Sequence, residues 1–526
     1  MKSKYLFAND FLLIIPASLI LSAGLAALQG GTYWIGWLGF SALWSLGLIA
    51  LFAAWRWAGS GKTLAWMIAL AVLLRVAAGV VVYIALPLNG YDVPDDKAGY
   101  VFTDAHRRDD QAWELASSGK PLWSAFDKTY YTDQYGGLLA FSALAYKIFS
   151  LDVHRPLLIL LLAALTAAIG VPSFYRATRL LWDEKLAAVS TWLFVAYPES
   201  VLTGGAQMRE PFLLTFIAMS YWGFAIWLKE GNRNGWTWIG IGLAGMLLVS
   251  PAMALVLIIF FGVWLWLRGE KARLPLPVLA ALVGVFFIGL LLLAWSLSRQ
   301  NDFGGGSPFS VILNWSRDSV RYVIYQLERG SGQIQGVFSK MNPLTQFLFV
   351  IGYGIAQPVL PPAFFEPTTL TWRIIAILRA LGWYTILPFL LYSLVAAWKS
   401  EPGPERRLWL WLPAFSWIWI LICAIRAGGD QWDNPRYRLI FFGWQALVAG
   451  RAWIWWRQHR DAWLLRILTL EIICVLLYGE WYLARYNLVG IHLPVTVVIS
   501  LSLIVLIIVF VGGWLWDRWK AKKVDA

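Results

Sequence analysis

The most constraining feature of the sequence is a series of apolar runs, each about as long as a bilayer core is thick. A hydrocarbon core about 30 Å thick requires roughly 20 apolar residues in helical conformation. The runs fall at about 11–29, 33–55, 64–87, 156–175, 186–203, 211–228, 236–250, 251–267, 276–297, 375–397, 408–426, 437–456, 463–483 and 493–516. The ten-residue apolar/polar alternation of a membrane barrel is absent from the sequence. The sequence therefore predicts an all-α polytopic membrane protein with about fourteen spans.

Charge indicates how these spans are oriented. Of the 526 residues, 59% are apolar and 14% are charged, and the formal net charge is +13. The basic residues cluster in short loops on one side of the predicted topology, and the positive-inside rule places that side and both termini in the cytoplasm. The excess of positive charge thus follows from topology, and we expect a multi-pass protein of the cell membrane with no nucleic-acid partner.

Two long loops, 88–155 and 298–374, face the outside in this topology. That holds if the shorter apolar stretches 136–150 and 346–360 lie at the surface or re-enter the membrane instead of crossing it. Long connections between tightly linked spans are where function concentrates. The expected divisions are an N-terminal hairpin over 1–60, a catalytic core over 61–300 that includes the first outer loop 88–155, a second outer loop over 301–374 with surface or re-entrant helices, and a C-terminal bundle over 375–526.

The first outer loop holds the densest group of ionisable residues in the chain. They are Asp104, His106, Arg107, Arg108, Asp109 and Asp110. Carboxylates and guanidiniums beside a membrane surface form a charged, partly desolvated pocket, where a carboxylate acts as general base and an arginine binds phosphate. An acid at a helix start also caps the helix and complements its dipole, so both roles are open for each aspartate. One histidine among scattered acids predicts no metal site.

Several stretches follow one another in an order that resembles a known class of enzyme. They are Asp109-x-x-x-Trp113-x-x-Ala116-x-x-Gly119, the stretch from Tyr135-Gly136-Gly137 to Phe149, the basic turn from Tyr175 to Trp182, Gln207-Met208-Arg209-Glu210-Pro211-Phe212, and the late Asp433-Asn434-Pro435-Arg436-Tyr437-Arg438. Together they resemble the GT-C glycosyltransferases, multispan enzymes that use polyprenyl-phosphate sugars, such as the protein mannosyltransferase and aminoarabinose transferase families. The similarity covers about 64–300 and the late element.

The sequence also departs from that family. A hairpin at about 11–57 precedes the usual first helix, and Asp133-Gln134-Tyr135-Gly136-Gly137 replaces the Pro-Pro-Leu type of element. An Asp-x-Asp motif, a Trp-Trp-Asp signature and a soluble C-terminal domain are absent from the sequence, which argues against an oligosaccharyltransferase.

The resemblance implies transfer of a hexosyl or pentosyl group from a polyprenyl-phosphate donor, held among membrane lipids, to an acceptor at the outer face. Asp109 is the expected general base, with Asp104 and Asp110 as the alternatives. Glu210 is a second carboxylate that holds the acceptor, an arginine or a divalent cation, and no other cofactor is implied. The expected substrate-binding residues are His106, Arg107, Arg108, Arg436, Tyr437 and Arg438.

Two other functions compete with this interpretation. A transporter or flippase of lipid-linked sugars predicts charges along a midplane pathway, where Arg75 and Glu471 are the clearest candidates. A polysaccharide ligase or polymerase predicts that the second outer loop matters, with Arg317, Arg321 and Arg329. The concentration of acids in the first outer loop favours the transferase. The sequence leaves the sugar and the acceptor open.

Overall fold

The computed structural model describes residues 3–127, 129–130, 133–268, scattered positions between 280 and 311, 338–487 and 489–524. Within these residues the secondary structure is helical, with no strand. The chain divides into two compact units: Met1–Leu265 with Lys271–Ser316, and Trp266–Glu270 with Arg317–Ala526.

The first unit contains long apolar helices joined by short turns, with shorter helices between them. Its helices are Ser3–Ala27, Tyr33–Trp57, Lys62–Asn89, Pro94–Lys97, Thr103–Ser117, Gly137–Phe149, Pro156–Leu181, Glu184–Ala196, Pro198–Gly204, Glu210–Glu230 and Asn234–Val249, with a 3₁₀ turn at Leu122–Phe126. The next helix, Pro251–Arg268, begins in this unit and continues past Leu265, where this segment of the unit ends. The helix Pro156–Leu181 is the most buried of the candidate spans and packs against Glu210–Glu230. Gly170 permits this approach, because a Cβ there would lie 3.0 Å from Thr215 Oγ1, which donates a hydrogen bond of 2.7 Å to the carbonyl of Thr166.

The second unit is built in the same way. Its helices are Pro343–Ala356, Leu360–Phe365, Leu370–Lys399, Pro404–Ala427, Asp433–Leu439, Phe442–His459, Ala462–Asn487, Val495–Ile507 and Gly513–Val524, with a π-helical turn at Ile508–Gly512 between the last two. Tyr392, Ala452 and Ile467 are buried together in one apolar cluster of this unit.

Nine helices of the described residues are long and apolar enough to cross a membrane, or ten if one bent pair counts as a single span. The nine coincide with nine of the predicted runs, so the polytopic all-α fold is confirmed, whereas the count of fourteen is not. The predicted run 186–203 is the bent pair Glu184–Ala196 and Pro198–Gly204, which meet at 55°. The bend falls at Tyr197, which is extended because a residue before proline avoids the helical conformation.

The remaining predicted runs differ for identifiable reasons. Run 11–29 falls mostly in the helix Ser3–Ala27, of which the stretch Leu13–Ala27 counts among the shorter apolar helices, as does Asn234–Val249 in run 236–250. Run 437–456 overlaps the more polar helix Phe442–His459. Half of the run 276–297 lies outside the described residues.

The two short apolar stretches in the long loops also form helices. They are Gly137–Phe149, of 13 residues, and Pro343–Ala356, of 14 residues. At about 1.5 Å of rise per residue, each is roughly 20 Å long, which is too short to cross a core of about 30 Å. We refer to Gly137–Phe149 as the surface helix.

Candidate active site

The ionisable group of the first outer loop lies on the helix Thr103–Ser117, here called the acidic helix. Ala105, Ala112 and Leu115 are buried on one face, and the helical period places Arg108 and Asp109 on that same face. Asp104, Arg107 and Asp110 are exposed. The amphipathic pattern therefore separates the three candidate bases, and Asp109 is the one that it turns inward.

Three side chains hold the Asp109 carboxylate. The hydroxyl of Tyr100 donates to Oδ2 at 2.5 Å, and the hydroxyl of Tyr146 donates to Oδ1 at 2.5 Å. His154 Nε2 lies 3.0 Å from Oδ2, and the Asp109 side chain is only 1% exposed. Because every one of these partners carries an exchangeable proton, the carboxylate lies at the centre of a small hydrogen-bond network.

His154 is a residue whose role the sequence analysis missed, because a lone histidine 45 positions away carries no local signal. The surface helix and the turn after it bring the imidazole back onto the acidic helix. The indole of Trp113 stacks on the His154 ring at 5.6 Å between centroids and 13° between planes. The Tyr146 hydroxyl oxygen also lies 3.1 Å from His154 Nε2. Trp113 of the Asp109-x-x-x-Trp113 motif therefore orients the imidazole against the carboxylate.

Both tyrosines keep their protons in this environment. Burial raises the pKa of Tyr146 and of Tyr100 well above the usual value, and the negative charge of Asp109 raises each pKa further. Ionising either phenol would place a second negative charge beside the carboxylate in a desolvated site. Tyr100 and Tyr146 are consequently hydrogen-bond donors over the whole range near neutral pH.

A small cavity adjoins the carboxylate. Its volume is about 40 Å³, and its wall includes Asp109, Tyr100, Gly79, Leu160 and Gln207. That volume holds about one water molecule, whose share of the liquid is roughly 30 Å³. Gly79 permits the close packing of the wall, because a Cβ there would lie 2.5 Å from a Leu160 methyl group and 2.8 Å from the carbonyl of Gly205. The carboxylate thus faces a space of the size that a single hydroxyl group needs.

Arg108 connects the acidic helix to the neighbouring loops through a hydrogen bond and an ion pair. Its Nη1 donates to the carbonyl of Gln207 at 2.8 Å, and its Nε lies 3.6 Å from Asp133 Oδ1. Both charged side chains are almost fully buried, and burial lowers the pKa of Arg108 although Asp133 opposes that shift. Asp133 Oδ2 in turn accepts from the backbone N–H of Leu139 in the surface helix. The guanidinium therefore joins three segments of this unit.

Glu210, the predicted second carboxylate, is the first residue of the helix Glu210–Glu230 and is 4% exposed. Burial lowers the pKa of Arg108, and the negative charges of Glu210 and Asp104 both raise it, by less than burial lowers it. The Arg209 guanidinium lies 5.3 Å from the centre of the Tyr135 ring. The structure thus brings the Gln207–Phe212 turn and the stretch that begins at Asp133 together around Arg108.

His106 organises the exposed side of the acidic helix. Its Nδ1 lies 2.7 Å from Asp95 Oδ1, its Nε2 lies 3.4 Å from Asp110 Oδ2, and its ring stacks on Tyr100. Thr103 donates to Asp95 Oδ2 at 2.5 Å. Burial raises the pKa of Asp95, but the hydrogen bonds from Thr103 and His106 outweigh it and hold the pKa below its usual range. Partial burial raises the pKa of Asp110.

Arg436, Tyr437 and Arg438 lie in the second unit, on the short helix Asp433–Leu439. Arg438 is 2% exposed, donates to the carbonyls of Ile355 and Gln357, and lies with its guanidinium 3.7 Å from the centre of the Trp383 ring. Arg436 pairs with Asp433 at 2.9 Å. The Arg438 guanidinium is thus bound to the main chain and an indole of its own unit.

No three His, Cys, Asp or Glu side chains in the described part of the chain lie close enough together to hold a metal ion. The carboxylates of Asp109 and Asp133 are bonded to tyrosine, histidine, arginine and backbone groups. These donor sets do not fit a divalent cation, which binds several oxygen ligands at once.

Among solved structures, this chain is similar to the oligosaccharyltransferase AglB of Archaeoglobus fulgidus. The complex of AglB with an inhibitory peptide and a dolichol-phosphate has a TM-score of 0.38 and 15% identity over 86% of this chain and 55% of that one. The complex of the A. fulgidus enzyme with Zn and sulfate has a TM-score of 0.39 and 14% identity over 80% and 52%. This chain spans about half the length of those enzymes. No family model and no curated protein matches the sequence.

Proposed function

We propose that this protein is a membrane glycosyltransferase that moves a sugar from a polyprenyl-phosphate donor to an acceptor at the outer face of the cell membrane, with Asp109 as general base. The observation that carries the proposal is the environment of Asp109. Its carboxylate is buried, is held by three side chains with exchangeable protons, and still lines a cavity that takes a single hydroxyl group. A general base must lie within hydrogen-bond reach of the proton that it removes.

The transfer step involves one proton and one electron pair. An acceptor hydroxyl in the cavity gives its proton to the Asp109 carboxylate as its oxygen bonds to the anomeric carbon. The bond from that carbon to the donor phosphate oxygen breaks at the same time, and its electron pair leaves on the phosphate. His154 shares the transferred proton, because its Nε2 lies 3.0 Å from Asp109 Oδ2. The tyrosine hydroxyls keep the carboxylate aligned throughout.

The leaving phosphate needs a nearby positive charge, and the exposed Arg107 suits that role. Arg107 precedes the inward-facing Arg108 by one position and is exposed, so it lies on the open side of the acidic helix. Arg108 instead holds the helix in place through Gln207 and Asp133. Glu210 influences the site through its negative charge, which favours the charged form of Arg108.

The test is an assay of transfer with the purified full-length protein and a panel of radiolabelled polyprenyl-phosphate sugars. We expect label to move to an acceptor or to water with one class of donor. Asp109→Asn should abolish that transfer, whereas Glu114→Gln, an exposed acid on the same helix, should leave it unchanged. Translocation of a lipid-linked sugar without transfer would show that the protein is a transporter and not a transferase. Full activity of Asp109→Asn would contradict the role of Asp109 as general base.

A further inference from the structure

The second unit contains a large cavity far along the chain from the acidic helix. It has a volume of about 860 Å³ and lies where the helix Leu370–Lys399 ends and the helix Pro404–Ala427 begins. Its wall includes Lys399, Arg406, Arg451 and the indoles of Trp409 and Trp455. Sites for small molecules and headgroups commonly have volumes of roughly 300–1,000 Å³. This cavity is therefore large enough for an organic ligand.

Arg451 is held in a fixed orientation in the wall of this cavity. Its guanidinium carbon lies 3.9 Å from the centre of the Trp409 ring and 5.8 Å from that of Trp455. The Trp455 ring also stacks on His459 at 3.9 Å. Arg451 Nη2 also donates to Ser400 Oγ at 3.4 Å. Stacking on indoles limits the motion of the guanidinium plane, and a planar guanidinium held in this way suits recognition of phosphate.

Arg406 is the second half-buried cation of the wall. It donates from Nη2 to the carbonyl of Trp398 at 2.8 Å, and its Nε is buried without a hydrogen-bond partner in the described residues. The Trp398 side chain itself is 70% exposed. Exposed indoles beside basic residues at the end of a spanning helix are typical of the membrane–water interface. The cavity thus lies at the depth of lipid headgroups.

The acids of the cavity decide which headgroup fits. Asp461 is neutralised within the protein, since its Oδ2 pairs with Lys399 Nζ at 2.8 Å and its Oδ1 accepts from the backbone of Trp463. Glu401 and Glu405 are exposed, whereas Arg406 and Arg451 are half-buried. The ligand therefore meets two cations on the inner wall and two carboxylates at the rim. A purely anionic ligand would be repelled by the rim, and a purely cationic one by the wall.

We propose that this cavity binds the headgroup of an aminophospholipid, with the phosphate on Arg406 and Arg451 and the ammonium on Glu401 and Glu405. In such a lipid the phosphate lies next to the acyl chains and the amine is outermost. The cavity has the same order, with the half-buried Arg406 and Arg451 inside and the exposed Glu401 and Glu405 at the rim. The basic loops at 399–407 and 457–460 belong to the side that the positive-inside rule places in the cytoplasm. The site is thus predicted to select aminophospholipid from the inner leaflet, independently of the chemistry at Asp109.

The test is a lipid titration of the delipidated full-length protein, with bound lipid counted by native mass spectrometry. Short-chain phosphatidylethanolamine, phosphatidylcholine and phosphatidylglycerol are the three probes. We expect phosphatidylethanolamine to bind at least about tenfold more tightly than the other two, because only it supplies both a phosphate and an ammonium with N–H donors. Equal binding of the three, or tighter binding of phosphatidylglycerol, would overturn the proposal.

Four variants test which residues of the cavity bind the headgroup. Arg451→Gln should weaken phosphatidylethanolamine binding about tenfold, whereas Glu405→Gln should remove the preference over phosphatidylcholine and leave phosphate binding in place. Arg457→Gln is the matched control, an exposed arginine on the same helix as Arg451 that is not in the cavity wall. If Arg451→Gln does not fold, Arg451→Lys keeps the charge without the planar fork, and wild-type affinity in that variant would contradict the proposed phosphate contact. Displacement by soluble glycerophosphoethanolamine at equal affinity would assign the cavity to a soluble ligand instead.

Discussion

The surroundings of Asp109 and of Arg438 show how two buried charges in one chain differ in what they are bonded to. Both side chains are no more than 2% exposed, and the sequence analysis assigned both to the same reaction. Asp109 is bonded to two phenols and an imidazole beside a cavity. Arg438 is bonded to two main-chain carbonyls and lies over an indole. The first arrangement can exchange protons with a ligand, whereas the second joins segments of the backbone.

The partners of a buried charge are therefore more informative than its burial. A guanidinium that satisfies carbonyls cannot leave them without exposing unpaired acceptors, so we expect its role to be structural. We expect a carboxylate that accepts from several donors at a cavity wall to take part in the chemistry. This distinction separates residues that the sequence motifs had grouped together, and the predictions for Arg438 and His154 test it.

The largest expected effect is on the stability of the second unit. Arg438→Ala should lower the free energy of unfolding by about 3 kcal/mol, because two carbonyls lose a charged donor and Trp383 loses its stacked cation. Thermal unfolding of the purified protein in detergent measures this loss, and Arg457→Gln should behave like wild type. If Arg438→Ala unfolded at the wild-type temperature yet bound donor poorly, Arg438 would be a substrate-binding residue and not a structural one.

The next effect is on activity. His154→Gln should lower the rate of transfer about tenfold to a hundredfold, since general acid–base groups contribute on the order of 10²–10⁴-fold and Asp109 itself remains. The unfolding temperature should change little, because the His154 side chain is 24% exposed. The informative measurement is kcat against KM for the donor, because kcat should fall while KM stays unchanged. An unchanged kcat would make His154 a packing residue.

More of the fold than of the site could be predicted from the sequence. Helix length and apolarity are local properties, so nine spans and both short loop helices were evident from the sequence. The position of Asp109 on the inner face of the acidic helix also follows from the spacing of Ala105, Ala112 and Leu115. Where a run is interrupted, as at Tyr197-Pro198, length alone does not tell a straight span from a bent pair.

Contacts between distant segments could not be predicted in this way. His154 reaches Asp109 only because the surface helix folds back, and the donors of Arg438 meet carbonyls 81 and 83 positions earlier in the chain. Main-chain carbonyls have no sequence signature, since every residue carries one. The motif containing Arg436 and Arg438 is visible in the sequence, but the partners of Arg438 become evident only in the structure.

The smallest expected effect is at the exposed side of the acidic helix. The pKa of Asp95 is below its usual range, so its ionised form stabilises the folded state at pH values above the usual pKa of an aspartate, about 3.9. That contribution is lost as pH falls through the lowered pKa of the folded state. Asp95→Asn should thus cost less than about 1 kcal/mol at pH 7 and nothing once the pH is well below 4. A difference in unfolding temperature that persisted at acidic pH would contradict the electrostatic origin.

The central claim is that Asp109 removes the proton in the transfer step, and single-turnover kinetics test it most directly. The protein is loaded with radiolabelled donor, acceptor is added, and the rate of the chemical step is compared between wild type and Asp109→Asn at equal donor occupancy. The account predicts unchanged donor affinity and a rate lowered by about 10²–10⁴-fold. A wild-type rate in Asp109→Asn, with donor bound and the protein folded, would contradict it.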